Sequence, residues 1–374
     1  MTGDMRIVLA AGGTGGHLFP AEALAGALIG RGVAVDLITD ERGTGFGRLG
    51  DVPVHHIASG GIAGKGLATR ARNYGRLALG VLQSRRLLKR LRPSVAVGFG
   101  GYPSVPPLLA AQWSAINTVI HEQNAVMGRA NRALLKRATK VALSFDQVRF
   151  TEQVPASRKT VTGNPVRPAI AEIGTRPYHA PTAEGPLHLL VFGGSQGARV
   201  FGRVVPPAIA LLPETLRRRL KLVQQVRAED LDAARAAYRE IGLDAEVQPF
   251  FGDMPARYEW AHLVVCRSGA SSVTELAAAG RPALLIPLPN SIDDHQLANA
   301  DALASKGGGW VMSESAFTPQ RAAERLAAIL SDGAGLARAA GAARAAARTD
   351  AAERLADLVL GLVPGAPKTP GQVH

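Results

Sequence analysis

The sequence predicts an α/β protein of two Rossmann-like domains whose parallel sheets face each other across a cleft. Three observations carry that reading. Arg6-Ile-Val-Leu-Ala-Ala-Gly-Gly-Thr-Gly-Gly-His17 runs from an apolar strand into a glycine-rich turn and then a helix. Leu187-His-Leu-Leu-Val-Phe-Gly-Gly-Ser-Gln-Gly-Ala-Arg199 repeats the device in the second half, and two copies imply two such domains. Short β-branched runs alternate with helical stretches throughout, the pattern of a parallel sheet covered on both faces.

In the first half the strand-like runs fall at 33–38, 95–98, 118–121 and 140–143; in the second they fall at 220–224, 246–249, 263–266, 283–287 and 309–312. Regular structure should stop at Thr162-Gly-Asn-Pro-Val-Arg-Pro168, which sets the domains at 1–165 and 166–350. Asp350 and Glu353 read as a capping box opening a last helix, 351–363, that completes the first domain. Residues 365–374 read as a flexible tail.

With 374 residues, 47% of them hydrophobic, the chain can build two sizeable cores. The single cysteine, Cys266, excludes an internal disulfide and a cysteine-based metal cluster. The start of the chain shows neither a charged n-region nor an apolar h-region, and no run of about eighteen apolar residues suggests a membrane span.

Charge is unevenly distributed. Residues 1–165 hold 21 Lys and Arg against 9 Asp and Glu, a balance of +12, whereas residues 166–374 hold 22 against 21. From Val52 to His121 there is no carboxylate, yet Lys65, Arg70, Arg72, Arg76, Arg85, Arg86, Lys89, Arg90 and Arg92 lie there. Such a surface seeks anions. In the helical stretch 72–92, Arg72, Arg76, Leu79, Arg86 and Arg90 share a face, while Tyr74, Leu77, Val81 and Leu88 read as core. An anionic membrane surface suits this face, with Ile62, Leu67 and Trp113 dipping in; the competing reading is plain solvated charge. No aromatic platform or nucleic-acid motif accompanies the basic residues, so nucleic acid is not expected as a partner.

The glycine loops exclude the commoner nucleotide motifs. Gly13-Thr-Gly15-Gly16-His17-Leu18 places leucine where a dinucleotide fingerprint needs its last glycine, although Asp40 would suit a ribose. The one Gly-Lys pair, Gly64-Lys65, is followed by Gly66, so there is no P-loop. Asp230 and Asp232 have the spacing of a metal pair but lie in an exposed helical pattern. Neither a metal nor a cofactor is expected.

The most informative stretch is Cys266-Arg-Ser-Gly-Ala-Ser-Ser-Val-Thr-Glu275, a strand end, a turn and a helix start. Small residues there leave backbone N–H groups open to an anion, Arg267 adds charge, and Glu275 can accept two bonds from a ribose diol. Ser195 in the preceding glycine loop supplies a hydroxyl beside it. Without a metal, such groups must hold a leaving diphosphate, which makes this the nucleotide-sugar domain. Read blandly, the same residues are a good helix cap and a solvated glutamate. In the first domain the loops Gly12 to Gly16 and Gly98-Phe-Gly-Gly-Tyr102-Pro-Ser104 can cradle a phosphorylated acceptor, with Tyr102 on that side.

Gly-Gly-Thr-Gly-Gly-His17, Gly100-Gly-Tyr102, His121-Glu-Gln-Asn124, Gly163-Asn-Pro-Val-Arg167, Gly193-Gly-Ser-Gln-Gly-Ala198, Cys266-Arg-Ser-Gly-Ala270, Glu275 and Asp294-His-Gln296 occur in that order. Together they resemble the bacterial MurG family of N-acetylglucosaminyltransferases in peptidoglycan synthesis, over residues 5 to 363. The resemblance implies a GT-B fold, UDP-N-acetylglucosamine as donor, lipid I as acceptor, inversion to a β-1,4 linkage, no metal, and a peripheral place on the cytoplasmic face of the inner membrane.

It also implies roles for residues. Thr14, Gly15 and Gly16 would line the cleft, Asn124 the donor sugar, and Arg167 and Ser195 the diphosphate. Phe251 would offer its backbone to uracil. Ala270, Ser271, Ser272, Val273, Thr274 and Glu275 would span sugar to ribose, and His295 and Gln296 would meet sugar hydroxyls. Phe251 is bulkier than the aliphatic residue expected, and Pro289-Asn-Ser-Ile-Asp293 is a variable segment. For the chemistry, His17 is the candidate base, its ordinary pKa suiting proton transfer near neutrality, and Glu122 the second candidate. The alternative for His17 is a hydrogen bond to phosphate or a cap on the turn.

Overall fold

The computed structural model describes residues 5–12, 15–41, 43, 49–60, 67–194 and 197–363. The chain divides into two compact units, one of Met1–Arg167 with Arg348–His374 and one of Pro168–Ala347.

The first unit holds a seven-stranded sheet in the order β3-β2-β1-β4-β5-β6-β7. Its strands are β1 (Arg6–Ala10), β2 (Ala34–Thr39), β3 (Val54–His56), β4 (Val95–Gly98), β5 (Asn117–Glu122), β6 (Lys140–Leu143) and β7 (Lys159–Val161). Every pairing is parallel. The apolar runs are continuous because both sheet faces are covered: Val8, Ala10 and Ala96 enter one core cluster, while Ile7, Leu9, Val95 and Val97 enter another. The second of these clusters also takes Leu24 and Leu28 from the helix Gly15–Ile29 and Leu355, Ala356 and Val359 from the last helix, Ala351–Leu360.

That last helix lacks the expected capping box. Asp350 Oδ2 accepts from Arg354 Nε at 2.7 Å, and Glu353 and Asp357 are both drawn to Arg31 instead. A second departure lies in the helix Leu67–Leu91, where Val81 and Leu88 are buried and Leu77 half-buried, but Tyr74 is 51% exposed. β3 and β7 were not foreseen. Each is a three-residue edge strand, polar and partly exposed, with no apolar run to announce it.

The second unit is a six-stranded parallel sheet, β10-β9-β8-β11-β12-β13. The strands are β8 (Leu187–Phe192), β9 (Leu220–Gln225), β10 (Ala245–Gln248), β11 (Leu263–Cys266), β12 (Ala283–Leu285) and β13 (Gly309–Val311). Both sheets thus run 3-2-1-4-5-6, the doubly wound order, with one extra strand on the first.

This order reverses direction between β1 and β4 in one sheet and between β8 and β11 in the other. A ligand crevice opens beyond the carboxyl ends of the strands at such a switch point. Ala10 is level with Gly98, and Cys266 with Phe192, so each unit brings two loops side by side there. They are the glycine-rich loops singled out in the sequence.

Candidate active site

In the second unit, β8 ends at Gly193. A Cβ there would stand 2.3 Å from the Ala198 nitrogen, so only glycine lets the loop close on itself. Its N–H donates to Gln225 Oε1 at 3.0 Å, and Gln225 Nε2 donates to the Pro249 carbonyl at 3.2 Å. Ser195 lies outside the described residues. Against Gly197 packs Arg227, at 3.2 Å from where a Cβ would be, with its Nε enclosed and without a partner among the described residues. Sequence reasoning passed over Arg227; the signal available was its place just beyond the carboxyl end of a predicted strand.

Beside this loop starts the helix Ala270–Ala279. Its capping residue Gly269 has φ −61° and ψ 149°, and a Cβ would meet no atom within 4 Å, so the turn does not require glycine's freedom. Intrahelical bonding begins with Val273 N–H to the Gly269 carbonyl at 3.0 Å, which leaves the N–H groups of Ala270, Ser271 and Ser272 at an electropositive helix end. Ser271 Oγ is enclosed and has no partner among the described residues. Thr274 Oγ1 instead donates back to the Ala270 and Ser271 carbonyls, at 2.9 and 3.1 Å. Val273 is buried in the core, so only its backbone can meet a ligand. One and a half turns in, Glu275 is 8% exposed and accepts from the Tyr258 hydroxyl at 3.2 Å.

Arg267 is not a free phosphate clamp. Its guanidinium is buried, donating to the Ile286 and Pro287 carbonyls at 3.1 Å each and pairing with Glu314, above the ring of Phe201. Burial explains the difference: a charge taken out of water at a strand end must be neutralised and hydrogen-bonded from within. Arg267 therefore holds the segment after β12 in place.

That segment is braced again from the Ser268 side. Ser268 Oγ donates to the Gln296 carbonyl at 2.7 Å, and the fully buried Asn299 donates to the Ser268 carbonyl at 3.1 Å. Gln296 Oε1 accepts from the Leu288 N–H at 3.0 Å, and His295 Nδ1 donates to the Ile292 carbonyl at 2.8 Å. Asp293 and Asp294, at φ 54° and 55°, turn the chain sharply into the helix His295–Ala304. Phe251 is buried with the Arg257 guanidinium 4.9 Å from its ring centre, whereas Phe250 is 66% exposed.

In the first unit, Gly100 and Gly101 take φ of 81° and 73°, conformations open to glycine. Their backbone and that of Gly12 press on the His17 ring, whose carbons lie 3.3 to 3.4 Å from the positions their Cβ atoms would take. Gly15 and Gly16 form the first turn of the helix Gly15–Ile29, Tyr102 starts the short helix Tyr102–Ser104, and Thr14 lies outside the described residues. Burial lowers the His17 pKa below its ordinary 6.5, opposed by the charge of Glu122, the Gln123 side chain and the Phe99 carbonyl. The imidazole is therefore neutral at pH 7.

Glu122 is occupied. Oε1 accepts from Asn124 N–H at 3.0 Å and Asn124 Nδ2 at 3.2 Å, and Oε2 from Gly128 N–H at 2.9 Å and Asn131 Nδ2 at 2.8 Å. A carboxylate held by four donors keeps its charge and orders the loop 122–131 rather than waiting for a substrate proton. This takes the second candidate base away from that role. Arg167 lies with its guanidinium 5.3 Å from the ring centre of Phe19. Among the described residues, no three His, Cys, Asp or Glu side chains converge as a metal site would require, and no helix is long and apolar enough to cross a membrane.

Two family descriptions match the chain, "Glycosyltransferase family 28 N-terminal domain" over residues 7–143 and "Glycosyltransferase family 28 C-terminal domain" over residues 188–355. A UDP-N-acetylglucosamine–N-acetylmuramyl-(pentapeptide) pyrophosphoryl-undecaprenol N-acetylglucosamine transferase of Rhodospirillum centenum is 56% identical, the alignment covering 95% of this chain and 94% of that one. Its namesake from Rhodospirillum rubrum is 53% identical over 95% of this chain and 91% of its own. Among solved structures, MurG of Acinetobacter baumannii aligns with TM-score 0.77 and 32% identity over 95% of this chain and 99% of that one.

Proposed function

The chain belongs to glycosyltransferase family 28, and from that premise we propose that it transfers N-acetylglucosamine from UDP-N-acetylglucosamine to undecaprenyl-diphosphate-linked N-acetylmuramyl-pentapeptide, lipid I to lipid II. Its two doubly wound sheets are those of the GT-B architecture.

The second unit takes the donor. The observation that carries this assignment is the Ala270–Ala279 helix end beside the Gly193–Gly197 loop, with three backbone N–H groups and the enclosed Ser271 hydroxyl lacking a partner of their own. Arg227, next to the same loop, supplies a cation for the diphosphate now that Arg267 is engaged elsewhere. Glu275 accepts from the ribose hydroxyls, its second role after Tyr258. In the first unit His17, neutral and held at the glycine loops, takes the proton of the acceptor hydroxyl as that oxygen bonds to the anomeric carbon and the bond to UDP breaks. Displacement in line inverts the configuration.

The first unit also meets the membrane that carries the acceptor. On the exposed side of the helix Leu67–Leu91, Tyr74, Leu79 and Leu82 are followed by Arg85, Arg86, Lys89 and Arg90, and Trp113 is 55% exposed on the helix packed against it. Basic side chains near an anionic leaflet contribute about 1 kcal/mol each, and the apolar ones add burial. This reading puts the protein on the cytoplasmic face of the inner membrane. Sedimentation with liposomes tests it: binding should rise with anionic lipid and fall with salt, and indifference to both removes the assignment.

The activity itself is tested by following labelled sugar from UDP-N-acetylglucosamine to a short-chain lipid I analogue, with and without chelator. Transfer that persists in chelator is expected; no transfer to that acceptor overturns the reading.

A further inference from the structure

His17 has two ring nitrogens, and a base needs a lone pair on the one that faces the substrate. Which nitrogen carries the proton is set by what the other one meets. The surroundings of His17 determine this through a chain of three residues.

The chain starts at Gly163, whose carbonyl can only accept. His121 Nε2 lies 3.0 Å from it and must therefore carry a proton. Burial moves the His121 pKa down to about 4, so the ring is neutral and its Nδ1 is an acceptor. Gln123 Nε2 stands 3.0 Å from that Nδ1 and 2.9 Å from the Phe99 carbonyl. Two acceptors on one atom fix it as the amide nitrogen and exclude the flipped side chain. Gln123 Oε1 is thereby forced to the other side, where it is enclosed without a partner. His17 Nδ1 is likewise enclosed without a partner among the described residues, and Gln123 is its side-chain neighbour. An oxygen that only accepts and a nitrogen that can donate complete each other, and the Phe99 carbonyl, the alternative partner, would impose the same tautomer.

We propose that Gln123 is a positioning residue that fixes the tautomer of His17, taking the Nδ1 proton on Oε1 so that Nε2 presents its lone pair to the acceptor hydroxyl. When that hydroxyl proton arrives on Nε2, the ring becomes an imidazolium still bonded to Gln123, and release of the proton to solvent restores it. The charged group facing the ring is Glu122, which favours the imidazolium; His121 faces it as a neutral ring. An amide rather than a carboxylate behind the histidine orients it without adding a second charge to the site. This inference rests on the reading of His17 as base, but its primary test does not.

Long-range proton-nitrogen correlation spectra of the full chain labelled with 15N-histidine, with His17 assigned by its loss in His17→Asn, report the tautomer directly. A protonated Nδ1 and a bare Nε2 at pH 7.5 are expected; a protonated Nε2 overturns the proposal. Gln123→Leu should mix the tautomers and lower kcat by at least about 10-fold with donor KM within about 3-fold. Gln123→Glu should keep the Nδ1 proton and shift the acid limb of the kcat profile to higher pH. If Gln123→Leu leaves both tautomer and kcat unchanged, Gln123 has no such role, and if it fails to fold, the wild-type spectrum decides. An active His17→Ala protein with the expected wild-type tautomer would remove the base and leave the tautomer lock standing.

Discussion

Arg267 and Glu314 form a buried ion pair, and the guanidinium's remaining contacts run to the carbonyls of Ile286 and Pro287. An arginine that the motif alone would assign to phosphate is a brace for the segment between β12 and the helix His295–Ala304. Glu314→Gln separates the two possibilities. Breaking a buried pair by removing one partner leaves an uncompensated charge, so the variant should lose about 2 kcal/mol of stability in the second unit and raise donor KM. Had Arg267 been waiting for diphosphate, freeing it from Glu314 would improve donor binding; isothermal titration with UDP distinguishes the outcomes.

Glu275 is held by Tyr258 but accepts at both oxygens. Glu275→Ala should weaken UDP binding by roughly 10- to 100-fold, since a hydrogen bond to a charged group contributes about 1.5 to 3 kcal/mol. Tyr258→Phe should cost less, a few-fold, by loosening the carboxylate. Unaltered UDP affinity in Glu275→Ala would contradict the ribose contact.

His17→Ala should lower kcat by at least about 100-fold while UDP affinity stays within a factor of two. Because burial lowers the His17 pKa, the unprotonated ring persists below pH 6.5, so the acid limb of the wild-type kcat profile should lie below that value. An acid limb well above it would point to another group.

His121 and His262 are both held at about 4, by burial in each case, with His188 and Arg281 adding repulsion at His262. In the unfolded chain they bind protons near pH 6.5, so between pH 6.5 and 4 the unfolded state binds more. Stability is full above that window and falls as pH drops through it. His121 alone accounts for at most about 3 kcal/mol. Hydrogen exchange at pH 7 and pH 5 should show protection lost around β5 and around His262, where its ring stacks on His188 at 4.5 Å.

The fold was legible because its strands are buried on both faces: the runs at 95–98, 140–143 and 263–266 appear as β4, β6 and β11 with those bounds. The edge strands β3 and β7 were not, since His55, His56 and Lys159 carry no apolar signal. In the site, backbone features could be read from small residues, as at Gly193 and the Ala270 helix end. Side-chain partners could not. Glu122 and Arg267 have the residue types of a base and a phosphate ligand, and only their surroundings show four donors around one and a carboxylate with two carbonyls around the other. Arg227 and Gln123 escaped for the converse reason, since neither type in its sequence context signals what it packs against.

The central claim is that the second unit holds the uridine diphosphate through the amino end of the helix Ala270–Ala279. Soaking crystals with UDP tests it most directly. The diphosphate should lie against the N–H groups of Ala270 to Ser272 with the ribose at Glu275, and density for UDP at the glycine loops of the first unit would contradict the account.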